Sequence, residues 1–444
     1  MKLFNALTLK FEKADWSLNP VFGLIDTLLE QHPGLLRLVQ DDIMGKEKEN
    51  NFGRGDVPTV EQIMRAALYK EMSGLDYRGL EYAQSDSRIC SIFIKLDMRR
   101  PFSFQMFQKY IAQIKATSLQ KLLVEINKIA VAEGYEDVSK LREDTTTIEA
   151  NIHYPTNNAL VWDCIKESHR LLEQLHQETE MGYRDYTISA KKTYFKINNT
   201  KADKRTELFK KQLVTFTKTI NQVSNSIKKK SSRLKGMAIQ VALEELLPLL
   251  GQVYDMAHRK EILNESVPND EKVFSIYERH TDIIMKGSRE PVFGHKINLV
   301  TGHANLILDG EVLRGNPNDK TLYQDTLDRV IANYGIVPRD IATDGGFASK
   351  ENSAFSKEKG IVNIVFNKVV GSLKNIASSL NMETRLKKWR SGVEANISNL
   401  KRGFNIARCN WKGWDHFQAK VLWSMLGYNF RVMTAITLKR IAAG

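Results

Sequence analysis

Cysteine is scarce in this chain: Cys90, Cys164 and Cys409 are odd in number and irregularly spaced, which indicates neither a disulfide framework nor a zinc ribbon. No apolar run approaches the roughly 20 residues needed to cross a bilayer. The Met1 to Trp16 stretch lacks the apolar centre of a signal peptide, so a reducing cytoplasm is the expected setting. Short-period repeats and low-complexity segments are absent too. Acidic residues are outnumbered, 52 Asp+Glu against 65 Lys+Arg, and the resulting net charge of +13 favours nucleic acid or an anionic surface as partner. A length of 444 residues allows two or three domains with ample core. Gly45 to Pro58, rich in charge, Asn and Gly, reads as a flexible loop.

What is present centres on three carboxylates. Leu141 to Ile148 turns β-branched toward its end, which suits a buried strand carrying Asp144 on one face. Ile341-Ala342-Thr343 is a second apolar run, and Asp344 stands where it stops, before Gly345-Gly346. That turn lets the backbone approach a ligand closely, at the strand end where open α/β sheets bind ligands. The third acid, Glu394, belongs to a helix whose apolar stripe is Val393, Ile397, Leu400 and Phe404. Arg390, Glu394 and Lys401 share another face, one acid between two bases. Three such acids can hold two divalent ions about 4 Å apart for phosphoryl transfer, while Arg390, Lys401 and the adjoining Arg402 take phosphates. Each acid also has a plain reading: Asp344 as a turn former, Glu394 as part of a solvated salt-bridge face, Asp144 as an ordinary strand residue.

Ile297 to Val300 and Ala304 to Leu308 read as a hairpin, Leu322 to Tyr334 as a helix and Ile361 to Phe366 as a further strand. The 200 residues between the two Asp hold more than a sheet. Trp162 to Met181 and Ala202 to Lys230 are charged and helical in spacing, and Ala238 to Ala257 is a helix expected to break near Pro248. Lys191-Lys192, Lys210-Lys211 and Lys228-Lys229-Lys230 make this stretch either a DNA-backbone tracker or a solvated helical face. Ahead of the core, Thr59 with Gln62 resembles a capping box opening a helix to Met72, Ser73-Gly74 breaks it, and Tyr77 to Gln84 and Phe102 to Ile114 follow as helices, Ser103 capping the last. Helix, Gly turn, helix is compatible with a helix-turn-helix, though many folds share it.

His280, Asp282, His295 and His303 fall close together without the spacing of a metal motif, which favours a structural role; Asp282 is the alternative acid for the metal site. Trp411, Trp414 and Phe417 suit helix packing better than base stacking.

These residues carry a family resemblance. The chain resembles the DDE transposases of bacterial insertion sequences, nearest the group catalogued as "not classified yet" (ISNCY). The matching stretches are Asp144-Thr145-Thr146 with Asn151-Ile152-His153-Tyr154-Pro155-Thr156, Glu271 to Ile276 running into His280-Thr281-Asp282-Ile283-Ile284, Phe293-Gly294-His295-Lys296, Gly315-Asn316-Pro317, the Asp344 turn, and Gly392 to Arg402. Arg390, Glu394 and Lys401 also match the family's Arg-Glu-Lys signature, but Lys387 stands where a Tyr often precedes it. The resemblance implies an α/β fold: an RNase H-like mixed-sheet catalytic core at 131–444, a helical insertion at about 160–268, and a helical N-terminal DNA-binding domain at 1–130. It implies Asp144, Asp344 and Glu394 as catalytic residues and ligands of two Mg²⁺ ions, with Mn²⁺ as a substitute and no nucleotide cofactor. The implied partners are double-stranded DNA, as transposon ends and target, and a second copy on paired ends, in the bacterial cytoplasm with the nucleoid. An RNase H-like nuclease lacking strand transfer and a domesticated DNA-binding protein remain as alternatives.

Overall fold

The computed structural model describes residues 19–45, 57–96, 100–285, 290–367 and 373–443. The expected Gly45 to Pro58 loop and the Met1 to Trp16 stretch lie mostly outside them. In chain order, α1 (Pro20–Gln31), α2 (Gly34–Met44), α3 (Val60–Ser73), α4 (Tyr77–Asp86), α5 (Arg88–Phe93), α6 (Phe104–Ile111) and α7 (Ala116–Ala132) precede β1 (Lys140–Ala150). Then come α8 (Asn157–Thr179), α9 (Thr187–Asn198), α10 (Thr206–Lys228), α11 (Leu234–Glu261), β2 (Asp282–Ile284), β3 (Val292–Thr301) and β4 (Ile307–Val312). The chain closes with α12 (Asp319–Tyr334), β5 (Asp340–Thr343), α13 (Lys350–Glu358), β6 (Asn363–Phe366), α14 (Leu380–Gly403), β7 (Arg408–Cys409) and α15 (Trp414–Ala443). The fold is mixed α/β, mostly helical, in two compact units: Met1–Glu149 with His295–Gly444, and Ala150–Gly294. No described helix is long and apolar enough to cross a membrane.

In the first unit the strands lie in the order β4-β3-β1-β5-β6, with β3 and β4 antiparallel and β1, β5 and β6 parallel. Alternation divides the parallel part into two buried faces. Leu141, Ile341, Ile364 and Phe366 pack with Tyr323, Leu327 and Val330 of α12. Ala342 and Val365 meet Leu386 of α14. The expected hairpin forms, but β4 starts later than its apolar run suggests. The buried Glu136 carboxylate accepts from the Ala304 and Leu306 amides at 2.7 and 2.8 Å, which holds that segment in a turn.

The capping box is present at α3: the Gln62 amide donates to Thr59 Oγ1 at 3.2 Å, and the Thr59 amide to Gln62 Oε1 at 3.0 Å. Gly74, at φ 67°, ends the helix in the left-handed region that glycine tolerates. Ser103 caps α6 through the Met106 amide. Helices α1 to α7 share one buried cluster with the end of α14 and with α15. The middle of α15, Val421 to Phe430, is buried all round, as a helix without a polar face must be. Polar ties reinforce it: Lys420 Nζ and Ser424 Oγ reach Glu71 Oε1 at 2.5 and 2.8 Å, and Asn429 Nδ2 donates to Asn127 Oδ1 at 2.9 Å.

The second unit is a helical bundle in which Leu172 and Leu175 of α8, Phe216 and Val223 of α10, and Leu246 and Leu250 of α11 share a core. The break expected near Pro248 does not occur, and α11 runs through it. Pro248 and Glu244, whose carbonyl loses its partner, are both exposed, on the side of the helix where solvent can take the place of the lost donor. Leu246 and Leu250 meanwhile anchor the turns on either side in the core.

Candidate active site

On β1 the side chains alternate, so Arg142 and Asp144 face α14 while Glu143 and Thr145 face α12. β1 and β5 pair in parallel with partners 200 residues apart, Arg142 beside Ala342 and Glu143 beside Thr343. Asp144 and Asp344 differ by the same 200, so they stand level at the C-terminal edge of neighbouring strands. α14 brings Arg390 and Glu394 over that edge, one helical turn apart.

The three acids converge on one guanidinium. Arg390 Nη2 lies 2.8 Å from Asp144 Oδ2 and 3.8 Å from Asp344 Oδ1, and Nη1 lies 3.3 Å from Glu394 Oε1. The arginine side chain is only 7% exposed, whereas the acids grade outward from Asp144 at 13% through Asp344 at 43% to Glu394 at 68%. Arg390 was expected on a DNA phosphate; here it serves the carboxylates. Lys401, also expected on phosphate, donates from Nζ to the Thr147 carbonyl at 2.5 Å. Arg402 is exposed. Lys387, in the position of the missing Tyr, pairs with Glu383 at 2.6 Å.

Arg142 was not singled out by the sequence, yet it fixes α14 to the sheet. Its Nη1 donates to the Trp389 carbonyl at 2.6 Å, its Nε to Thr301 Oγ1 at 2.9 Å, and its Nη2 to Asn305 Oδ1. The guanidinium also lies 4.7 Å from the Trp389 ring centroid. This hub explains a glycine inside a helix: a Cβ at Gly392 would stand 2.6 Å from Arg142 Nη1. Ala is ordinarily the better helix former by about 1 kcal/mol. We expect Gly392→Ala to lose stability and to slow catalysis roughly 10- to 100-fold, because displacing α14 moves Arg390 and Glu394 together. A melting temperature above that of the wild type would refute this account.

On the opposite face, Glu143 is buried and accepts from Asn298 Nδ2 at 2.7 Å. Burial pushes its carboxyl up to about 8, against the lowering effect of the Asn298 bond. Between its ordinary 4.5 and about 8 the unfolded chain sheds this proton while the folded chain keeps it. Stability therefore falls as pH rises through that window and levels off above it. Glu143→Gln should melt higher than the wild type at the upper end of the window and show a flatter pH dependence. Identical pH profiles of melting temperature would rule this out.

Asp319 and Lys296 were likewise missed. Asp319 Oδ1 lies 2.5 Å from Lys296 Nζ and accepts from Thr145 Oγ1 at 3.2 Å, while Lys296 also donates to the Pro317 carbonyl at 2.7 Å. This links β1, β3 and the start of α12 beside the acids. Lys296 ends the Phe293-Gly294-His295-Lys296 stretch and Asp319 follows Gly315-Asn316-Pro317, so motif position was the available signal.

His280 pairs with Glu278 at 2.8 Å and Asp282 enters the β2 to β3 pairing opposite Gly294, both in the second unit. In the first unit His295 sits edge-on to Trp414 and Phe417, each centroid 4.8 Å away, and His303 lies in the turn after β3. Lys70 Nζ lies 5.2 Å from the Trp411 ring centroid. Lys228, Lys229 and Lys230 are exposed at the end of α10.

Among the described residues, no group of three His, Cys, Asp or Glu side chains is placed to hold a metal ion as it stands, and Asp144, Asp344 and Glu394 surround the Arg390 guanidinium. The donor set itself, carboxylate oxygens only, suits a hard divalent cation such as Mg²⁺ or Mn²⁺.

None of the curated proteins and none of the solved structures matches the chain. Residues 277–430 match the family model described as Transposase DDE domain, a stretch that includes Asp344, Arg390 and Glu394 while Asp144 precedes it. Over residues 277–430 the chain is similar to the DDE transposases.

Proposed function

We propose that the protein is the transposase of an insertion sequence of the not-classified-yet group, binding the element's terminal inverted repeats, cutting at its ends and joining them to target DNA. The observation that carries this reading is the meeting of Asp144, Asp344 and Glu394, from two parallel strands and one helix, around the Arg390 guanidinium. The element order supports it, being what an RNase H-like core would have: leaving aside β2 and β7, Asp144 is on the first strand, Asp344 directly follows the fourth, and Glu394 is on the helix after the fifth.

In this reading Asp144, Asp344 and Glu394 would hold two Mg²⁺ ions, for which Mn²⁺ could substitute, and these would supply the positive charge that favours an attacking and a leaving oxygen. A water oxygen attacks the end phosphorus in line and the bond to the leaving 3′-oxygen breaks. The freed 3′-hydroxyl then attacks a target phosphorus, and a target 3′-oxygen leaves. No covalent protein intermediate and no nucleotide cofactor are required. The fixed β1 and β5 register orients the two Asp, and Arg142 keeps α14 in place above them. Arg390, Lys401 and Arg402 on α14 and Lys228 to Lys230 at the end of α10 take DNA phosphates, contributing affinity without sequence choice. Helices of residues 1–130, with the α3, Gly74, α4 arrangement, read the end sequence. Two copies act on paired ends, in the cytoplasm.

The test is incubation of purified protein with labelled duplex spanning the element's borders, with Mg²⁺ or Mn²⁺, beside Asp344→Asn. Border cleavage and joined products from the wild type alone are expected. Cleavage without joined products would leave a nuclease, and binding without cleavage a domesticated DNA-binding protein.

A further inference from the structure

Arg390 lies where a cation bound by all three acids would have to lie. Its side chain is 7% exposed and within 2.8 to 3.8 Å of carboxylate oxygens from β1, the turn after β5, and α14 itself. Guanidinium does not lose its proton in proteins, so it leaves a divalent ion's position only by moving. A second observation shows that this resting place is incomplete: Arg390 Nε is buried with no hydrogen-bond partner. An unsatisfied buried donor is destabilising, because its hydration is lost without replacement. A phosphate offers what the carboxylates do not, two oxygens arranged to receive Nε and an Nη together.

We propose that Arg390 is a two-position switch that makes metal and DNA binding mutually dependent. In the free protein its guanidinium neutralises the three acids and keeps divalent cations out. When DNA is seated, the fork turns to a backbone phosphate and the carboxylates are released. The proposal rests on the acids being the metal ligands. Linkage then requires DNA to raise metal affinity and metal to raise DNA affinity by the same factor. Glu394 and Asp344, the more exposed acids, stay open to solvent while Arg390 swings, so the change needs no rearrangement of β1.

The test measures Mn²⁺ binding by titration calorimetry and by the electron paramagnetic resonance of free Mn²⁺, with and without an end duplex. Wild type, Arg390→Met, Arg390→Lys and Asp144→Asn are compared, each first checked for folding by circular dichroism. Wild-type affinity should rise about tenfold or more on adding DNA, within the usual range of coupling between sites. Arg390→Met should bind Mn²⁺ more tightly than wild type without DNA and lose most of the DNA-dependent gain. Arg390→Lys, which keeps the charge but not the fork, should keep weak binding without DNA and gain less with it. Equal wild-type affinity with and without DNA would overturn the switch whatever the variants do. So would unchanged or weaker Mn²⁺ binding by folded Arg390→Met. Undiminished Mn²⁺ binding by Asp144→Asn would instead remove the metal-site reading beneath the proposal.

Discussion

Strand cleavage should fall to background when Asp144 becomes Asn, Asp344 becomes Asn or Glu394 becomes Gln, and any one change should do nearly as much harm as all three. Groups that act as a unit lose their effect together, so a loss of roughly 10³-fold or more is the expected scale for each. The amides keep the shape of the acids and remove the charge. End binding without metal should survive, because phosphate contacts are assigned to basic residues and none to the acids. The variants should differ in stability. Asp144 is 13% exposed and 2.8 Å from Arg390, so neutralising it weakens a sheltered ion pair. Glu394 is 68% exposed and 3.3 Å away, so Glu394→Gln should leave the melting temperature within error. A Glu394→Gln protein that still cleaves would assign that ligand elsewhere.

Arg65→Met should be the most destabilising single change in the N-terminal helices. The Arg65 side chain has no solvent exposure, and it reaches Asp26 and Glu30 of α1 at 2.6 and 2.9 Å, Glu61 of its own helix at 2.8 Å, and the Phe93 carbonyl at 3.2 Å. Removing one partner of a buried ion pair costs about 3–5 kcal/mol. The three acids here are partly exposed, Glu30 to 53%, and can regain water, which sets the expectation at the lower end, about 3 kcal/mol. Chemical denaturation of wild type and variant would measure it, and a difference under about 1 kcal/mol would show the network to be a surface ornament.

Elements with local signals were legible in the sequence. The Thr59 and Gln62 capping box, the Ser103 cap and the strands around Asp144 and Asp344 all follow from spacing and residue type, and each is present. The level placement of the two Asp was implicit in their separation of 200, but only the register of β1 on β5 gave that number meaning. Long-range contacts were not legible. Nothing near Arg142 in the chain points to Trp389 or Asn305, and nothing near Arg390 showed that its guanidinium would sit among the acids. Pro248 misled because its cost depends on whether the orphaned carbonyl meets water, which is a property of the folded surface. The all-round burial of α15 was missed because a helix without a polar face has no periodicity to read.

The cluster that α15 shares with α1 to α7 governs when the protein can first fold. During synthesis, Leu28, Met64, Leu68 and Phe93 emerge hundreds of residues before Trp423, Leu426 and Phe430, which cover them. Until α15 leaves the ribosome, the earliest helices present an uncovered apolar side, the kind of surface on which nascent chains aggregate or are held by chaperones. A copy of the gene interrupted anywhere before Trp414 therefore yields a chain that cannot close its first-made helices. Truncated chains should be recovered as degraded product rather than as folded fragments.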